Sequence, residues 1–221
     1  MNTRTISACF ALIMFAGAPA LADDFAPPEF RGGPRSVYAE WDFSTPFTSV
    51  DIFPEVFTAV DGPGGTLNMG FQTKAELSAT GDWLWVQDPL DPMDGGITPS
   101  SMDEGASLAF KIQNYIDLEP EKLIRIQFTY QGLPPIIAGM TGFFPDGQSD
   151  GVRIGGTIFP NEQQYFDNWI ITPNPWWELI EVIVPANTVL DQVVIDTISI
   201  PSPSAFALLG VAGVVALRRR R

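Results

Sequence analysis

Apolar and polar residues alternate along much of the chain. Ile124, Ile126, Phe128 and Tyr130 fall on one side of an alternation, and Arg125, Gln127, Thr129 and Gln131 on the other. Leu108, Phe110 and Ile112 alternate in the same way with Ala109, Lys111 and Gln113. A period of two belongs to a strand with one buried face, because successive side chains leave a strand in opposite directions. Further extended segments are predicted at Val37–Phe43, Val50–Val60, Thr66–Phe71, Val152–Phe159, Tyr165–Thr172, Leu179–Val184 and Val189–Ile200. No window sustains a 3.6-residue stripe. With 20 prolines, which break helices and lack a donor, long helices are disfavoured.

Turn signals punctuate these runs: Asp61-Gly62-Pro63-Gly64-Gly65, Asp94-Gly95-Gly96, Asp146-Gly147, Asp150-Gly151 and Pro173-Asn174-Pro175. Leu90–Asp103 reads as a long loop. Short, regularly interrupted strands predict an all-β fold, an antiparallel β-sandwich. A jelly-roll-like arrangement fits best, since the first and last runs are both good strands and such ends often pair.

The two ends depart from this pattern. Arg4 precedes an apolar run, Ile6–Phe15, which Gly17, Ala18 and Pro19 interrupt before Ala20-Leu21-Ala22. That is the layout of a secretory signal peptide over residues 1–22, cut by signal peptidase between Ala22 and Asp23. A rival lipoprotein box at Ile6-Ser7-Ala8-Cys9 would put the lipidated cysteine ahead of the hydrophobic run. At the other end, Pro201-Ser202-Pro203 leads into small and apolar residues up to Leu217, then Arg218-Arg219-Arg220-Arg221. As a helix, Ala205–Leu217 is about 20 Å long against a hydrocarbon core of about 30 Å. Residues 202–221 are thus expected to be a short transmembrane helix whose arginines stay cytoplasmic and whose preceding body is exported.

This order of triplet, short span and basic cluster resembles the PEP-CTERM sorting signal, with serine where the family's motif carries glutamate. The resemblance implies processing by an exosortase-like enzyme. It also implies passage from an inner-membrane-tethered precursor to the cell surface or an extracellular polysaccharide matrix. A plain C-terminal membrane anchor is the alternative. In the body, Pro27-Pro28-Glu29-Phe30-Arg31-Gly32 and Tyr38-Ala39-Glu40-Trp41-Asp42-Phe43 look like the start of exported planctomycete proteins. Pro173-Asn174-Pro175 and Leu190-Asp191-Gln192-Val193-Val194-Ile195-Asp196-Thr197 share that likeness, which implies a β fold and export without an activity.

Residues 23–201 are expected to form one domain; at that size a chain buries about 70% of its unfolded surface. The formal charge is −14, from 12 basic and 26 acidic residues. Five of the basic residues lie in the two ends and no acidic residue does, so the body carries seven against 26, a formal −19. Such a surface repels nucleic acid and anionic lipid, and attracts cations or basic partners. There is no histidine, and the single cysteine, Cys9, lies in the signal segment. Thiolate nucleophiles, Ser-His-Asp machinery, the usual zinc, copper and iron sites, and disulfide stapling are therefore outside the body's reach.

Three constellations remain. Trp83 and Trp85 share one strand face, and adjacent Trp176 and Trp177 point to opposite ones. Indole rings stack on sugars, and equally fill cores. Trp176 and Trp177 are the better sugar contacts, because one of them is left outside. Asp88, Asp91 and Asp94 form an oxygen-rich stretch, as do Asp146 and Asp150. Calcium takes six to eight oxygens, but neither spacing is that of an EF-hand; a solvated turn is the competing reading. Paired carboxylates can hydrolyse glycosides without histidine. Glu40 and Asp42 resemble the start of a jelly-roll glucanase strand, but Ser44 stands where a third acid belongs. Glu178 and Glu181 face opposite sides. The expectation is a non-catalytic, exported β-sandwich with a structural or carbohydrate-interacting role and no obligatory cofactor. A carboxylate-based glycan hydrolase or lyase and a calcium-bridged structural protein are the alternatives.

Overall fold

A computed structural model describes residues 25–46, 51–62, 66–67, 75–88 and 94–200. The expected signal peptide with Ala20 and Ala22, the expected cleavage point at Asp23, residues 201–221, and Asp91 lie outside the described residues. Among the described residues the structure is all-β: two antiparallel sheets, a small two-stranded ribbon and no helix. Accordingly, none of the described residues belongs to a helix long and apolar enough to cross a membrane.

In chain order the strands are β1 (Ser36–Asp42), β2 (Asp51–Ile52), β3 (Val56–Ala59), β4 (Thr66–Leu67), β5 (Ala75–Thr80) and β6 (Trp83–Gln87). Next come β7 (Gly95–Pro99), β8 (Ala106–Gln113), β9 (Tyr115–Ile116), β10 (Glu121–Gln131) and β11 (Ile136–Phe144). The last are β12 (Gly147–Asp150), β13 (Val152–Phe159), β14 (Gln164–Ile171), β15 (Trp177–Val184) and β16 (Val189–Ile200). The eight-stranded sheet runs β13-β14-β10-β16-β1-β3, with β7 on β16 and β6 on β7; the six-stranded sheet runs β12-β11-β15-β8-β5-β2. The first long strand pairs with the last, from Ser36 opposite Ile198 to Asp42 opposite Gln192.

The alternation predicted for β10 is realised. Ile124, Ile126, Phe128 and Tyr130 are buried against Val37, Ala39, Trp41, Val193 and Ile195 of the same sheet. Leu77, Leu108, Phe110, Ile112, Ile180 and Val182 of the six-stranded sheet belong to the same core. Trp41 and Phe110 join the two sheets, their rings 4.9 Å apart and edge to face, a favourable aromatic geometry.

Three expectations need correction. Leu90–Asp103 is not one long loop, and Asp94-Gly95-Gly96 is not a turn, because Gly95 and Gly96 begin β7. The glycines there serve close approach. A Cβ on Gly95 would meet the Trp85 ring at 2.5 Å, and one on Gly96 would meet Val189 at 2.6 Å and the Leu190 carbonyl at 2.7 Å. Val50–Val60 is likewise interrupted: β2 and β3 are separated around Pro54, which cannot donate to a ladder.

The outer face of the eight-stranded sheet is partly roofed by the segment before β1. Phe25 packs on Phe159 and Phe166. The Ala26 amide donates to Gln127 at 2.9 Å, and Arg125 donates to the Ala26 carbonyl at 3.0 Å. Arg31 forks onto Asp196 with two bonds of 2.5 Å and lies 4.1 Å from the Tyr38 ring centroid. The roof explains why Gln127 and Asp196 are buried although they occupy the polar side of their strands.

Candidate functional site

The outer face of the six-stranded sheet has no such roof among the described residues. On β15, Glu178, Ile180, Val182 and Val184 point into the core, which sends Trp177, Leu179, Glu181 and Ile183 outward. Trp177 lies opposite Gln113 of β8 and Phe143 of β11. It stacks face to face on Phe143, with centroids 3.8 Å apart and planes 2° from parallel. The Lys111 ammonium sits 5.4 Å from the Trp177 centroid and 3.7 Å from the Glu76 carboxylate. Farther along the strands a shallow depression is lined by Thr80, Ser107, Ala109, Ala138, Glu181 and Ile183. Gly139 lets the Glu181 carboxylate lie over the sheet, 3.0 Å from where a Cβ would stand. The face thus combines an aromatic stack, one cation, two carboxylates and a floor of small side chains. Apolar ring faces match the C–H faces of sugars, and the charged groups can bond hydroxyls.

The other tryptophans are placed differently. Trp176 is 38% exposed, the most open of the predicted sugar contacts. Trp83 and Trp85 share a face of β6 as expected; both are half-buried against the core, and the Trp85 indole donates to the Phe43 carbonyl at 2.8 Å. The acidic stretch closes through backbone: the Asp88 amide donates to the Asp94 carbonyl at 2.9 Å, and Asp94 Oδ1 accepts from the Gly95 amide at 2.7 Å. Among the described residues, no three His, Cys, Asp or Glu side chains are grouped to hold a metal ion.

Glu40 and Asp42 lie on the outer face of β1, with Trp41 between them in the core. Glu40 accepts from Tyr38 and, at 2.7 Å, from Gln192. Glu55 accepts from the Asp42 amide at 3.0 Å. Burial raises the pKa of Asp42 and of Glu55, and the neighbouring carboxylates add to both shifts.

One cluster was missed at the sequence level. Lys122, Glu178 and Asn114 are fully buried between the sheets, together with Thr197 and Ser199. Lys122 donates to Ser199 at 3.0 Å, Asn114 donates to Glu178 and to the Pro175 carbonyl, and Thr197 donates to the Asn114 carbonyl oxygen at 3.1 Å. Asn174 donates to Ser199 at 3.2 Å and to Asp117 at 2.8 Å. The signal was in the alternation itself. Lys122 is in phase with Ile124 and Ile126, and Glu178 with Ile180 and Val182, so extending each apolar run one step puts a charged residue indoors. Desolvation drives both groups toward neutrality, lowering the Lys122 pKa and raising that of Glu178, while the attraction between them opposes each shift.

Compared with known proteins, the chain matches no family model and no curated relative.

Proposed function

We propose that this chain is an exported, non-catalytic β-sandwich that binds polysaccharide through the outer face of its six-stranded sheet. The observation that carries this reading is the Trp177–Phe143 stack, set beside Lys111 and Glu76 on an open sheet face that continues to Glu181. The finer topology is jelly-roll-like: β1 pairs with β16, and the chain passes between the sheets from β10 to β11, β12 to β13, β14 to β15 and β15 to β16. In this reading signal peptidase removes residues 1–22. The 202–221 tail holds the precursor in the inner membrane until an exosortase-like enzyme acts at Pro201-Ser202-Pro203. The product then resides at the cell surface or in the extracellular matrix. The body's −19 charge supports life outside the membrane and against a neutral rather than an anionic ligand.

The test is a glycan array probed with the purified full chain, with and without calcium, beside Trp177→Ala and Glu181→Gln. The proposal expects neutral-glycan binding that Trp177→Ala abolishes and chelator leaves unchanged. Absence of any hit, or binding that survives both substitutions, overturns it. Release of reducing ends from the bound glycan would instead favour the hydrolase reading.

A further inference from the structure

We infer that Lys122 and Asn114 join in an intramolecular isopeptide bond, with Glu178 as the proton carrier. All three side chains are buried, each 0% exposed; Asn114 bonds Glu178 directly, and Lys122 and Asn114 reach neighbouring hydroxyls, Ser199 and Thr197, on one side of β16. A charged amine and a charged carboxylate are costly there, which shifts both groups toward their neutral forms, and the neutral amine is the nucleophilic form of lysine.

The surroundings of Asn114 suit attack at its Cγ. Its Oδ1 accepts a hydrogen bond from the Thr197 hydroxyl at 3.1 Å, which polarises the carbonyl and stabilises negative charge on that oxygen. Its Nδ2, the leaving nitrogen, is bonded to Glu178 Oε2. The other Glu178 oxygen, Oε1, is buried and has no hydrogen-bond partner, which leaves a position open for a proton from lysine. Lys122 is held on the facing sheet by Ser199, two residues from Thr197 on the same side of β16.

The step balances without a co-reactant. The Lys122 Nζ lone pair attacks Asn114 Cγ and forms the new C–N bond. Glu178 takes a proton from Nζ and delivers it to Nδ2. The Cγ–Nδ2 bond then breaks and ammonia leaves, giving a secondary amide. Such a link would tie the end of β8, in one sheet, to β10 in the other. It is a staple open to a body that has no cysteine. Asn174 is the rival acyl donor, since it shares Ser199 with Lys122. Its carboxylate neighbour is Asp117, however, and not Glu178.

Tryptic peptide mapping of the purified full chain by mass spectrometry tests this. The bond predicts a peptide Ile112–Arg125 that is uncut after Lys122 and one ammonia lighter than its sequence, with fragment ions locating the bridge between residues 114 and 122. Glu178→Gln, close to isosteric, should restore cleavage after Lys122 and full mass in a folded protein. A wild-type digest cut after Lys122 overturns the proposal, whether Asn114 keeps its full mass or has lost ammonia as a succinimide. A link to the peptide containing Asn174 overturns the assignment to Asn114. A link that persists in Glu178→Gln overturns the role of Glu178.

Discussion

Trp41→Ala should bring the fold close to collapse. Trp41 is fully buried, packs edge to face on Phe110 of the opposite sheet, and donates from its indole nitrogen to the Ile52 carbonyl at 3.3 Å. Removing a buried Trp side chain costs about 3–5 kcal/mol, and the lost hydrogen bond adds about 1 kcal/mol. Domains of this kind hold only about 5–15 kcal/mol in all. At about 2–4 °C per kcal/mol for a chain of this length, the midpoint should fall by roughly 10 °C or more. Trp41→Phe keeps a ring against Phe110 and should lose less than half of that. Leu118→Ala, at a fully exposed side chain, serves as the control and should stay within about 0.5 kcal/mol. Thermal melts by circular dichroism, with urea titration as a second measure, read all three. If Trp41→Ala shifts the midpoint no more than Leu118→Ala does, then β1 and β8 do not share a core and the two-sheet account fails.

Asp196→Asn should loosen the roof segment over β16, because Arg31 loses its charged partner; a hydrogen bond to a charged group is worth about 1.5–3 kcal/mol. Limited proteolysis should then cut before β1 at protease doses that spare the wild type. Gly96→Ala should destabilise by about 1–3 kcal/mol, since its Cβ would strike the Leu190 carbonyl, whereas Gly147→Ala faces open space and should be close to neutral in the same melt. Glu55→Gln should raise the melting midpoint at neutral pH and leave it unchanged near pH 3. The folded state raises the Glu55 pKa, so this group favours folding below its unfolded value of about 4.3 and disfavours it once pH exceeds the folded value. Equal midpoints at both pH values would contradict the sign.

The strands with one dry and one wet face were legible from alternation alone, as at β8, β10 and β15. What escaped had physical reasons. Gly95-Gly96 has the composition of a turn, and only the Trp85 ring and the Leu190 carbonyl, both distant in sequence, show why a strand needs glycine there. Gln127 and Asp196 sit on the side that alternation assigns to water, and a segment arriving from about a hundred residues earlier in the case of Gln127 covers them. Of the candidate site, Trp177 was readable as a possible sugar contact, but its partners were not. Phe143 and Lys111 join it through sheet pairing that no local pattern encodes.

Export with trimming at both ends is the claim on which the functional reading rests. Its most direct test is the intact mass of the protein recovered from its host. A chain that begins at Asp23 and has lost the arginine cluster at 218–221 is the expected result. A chain found in the membrane fraction with those arginines still attached would contradict the sorting account.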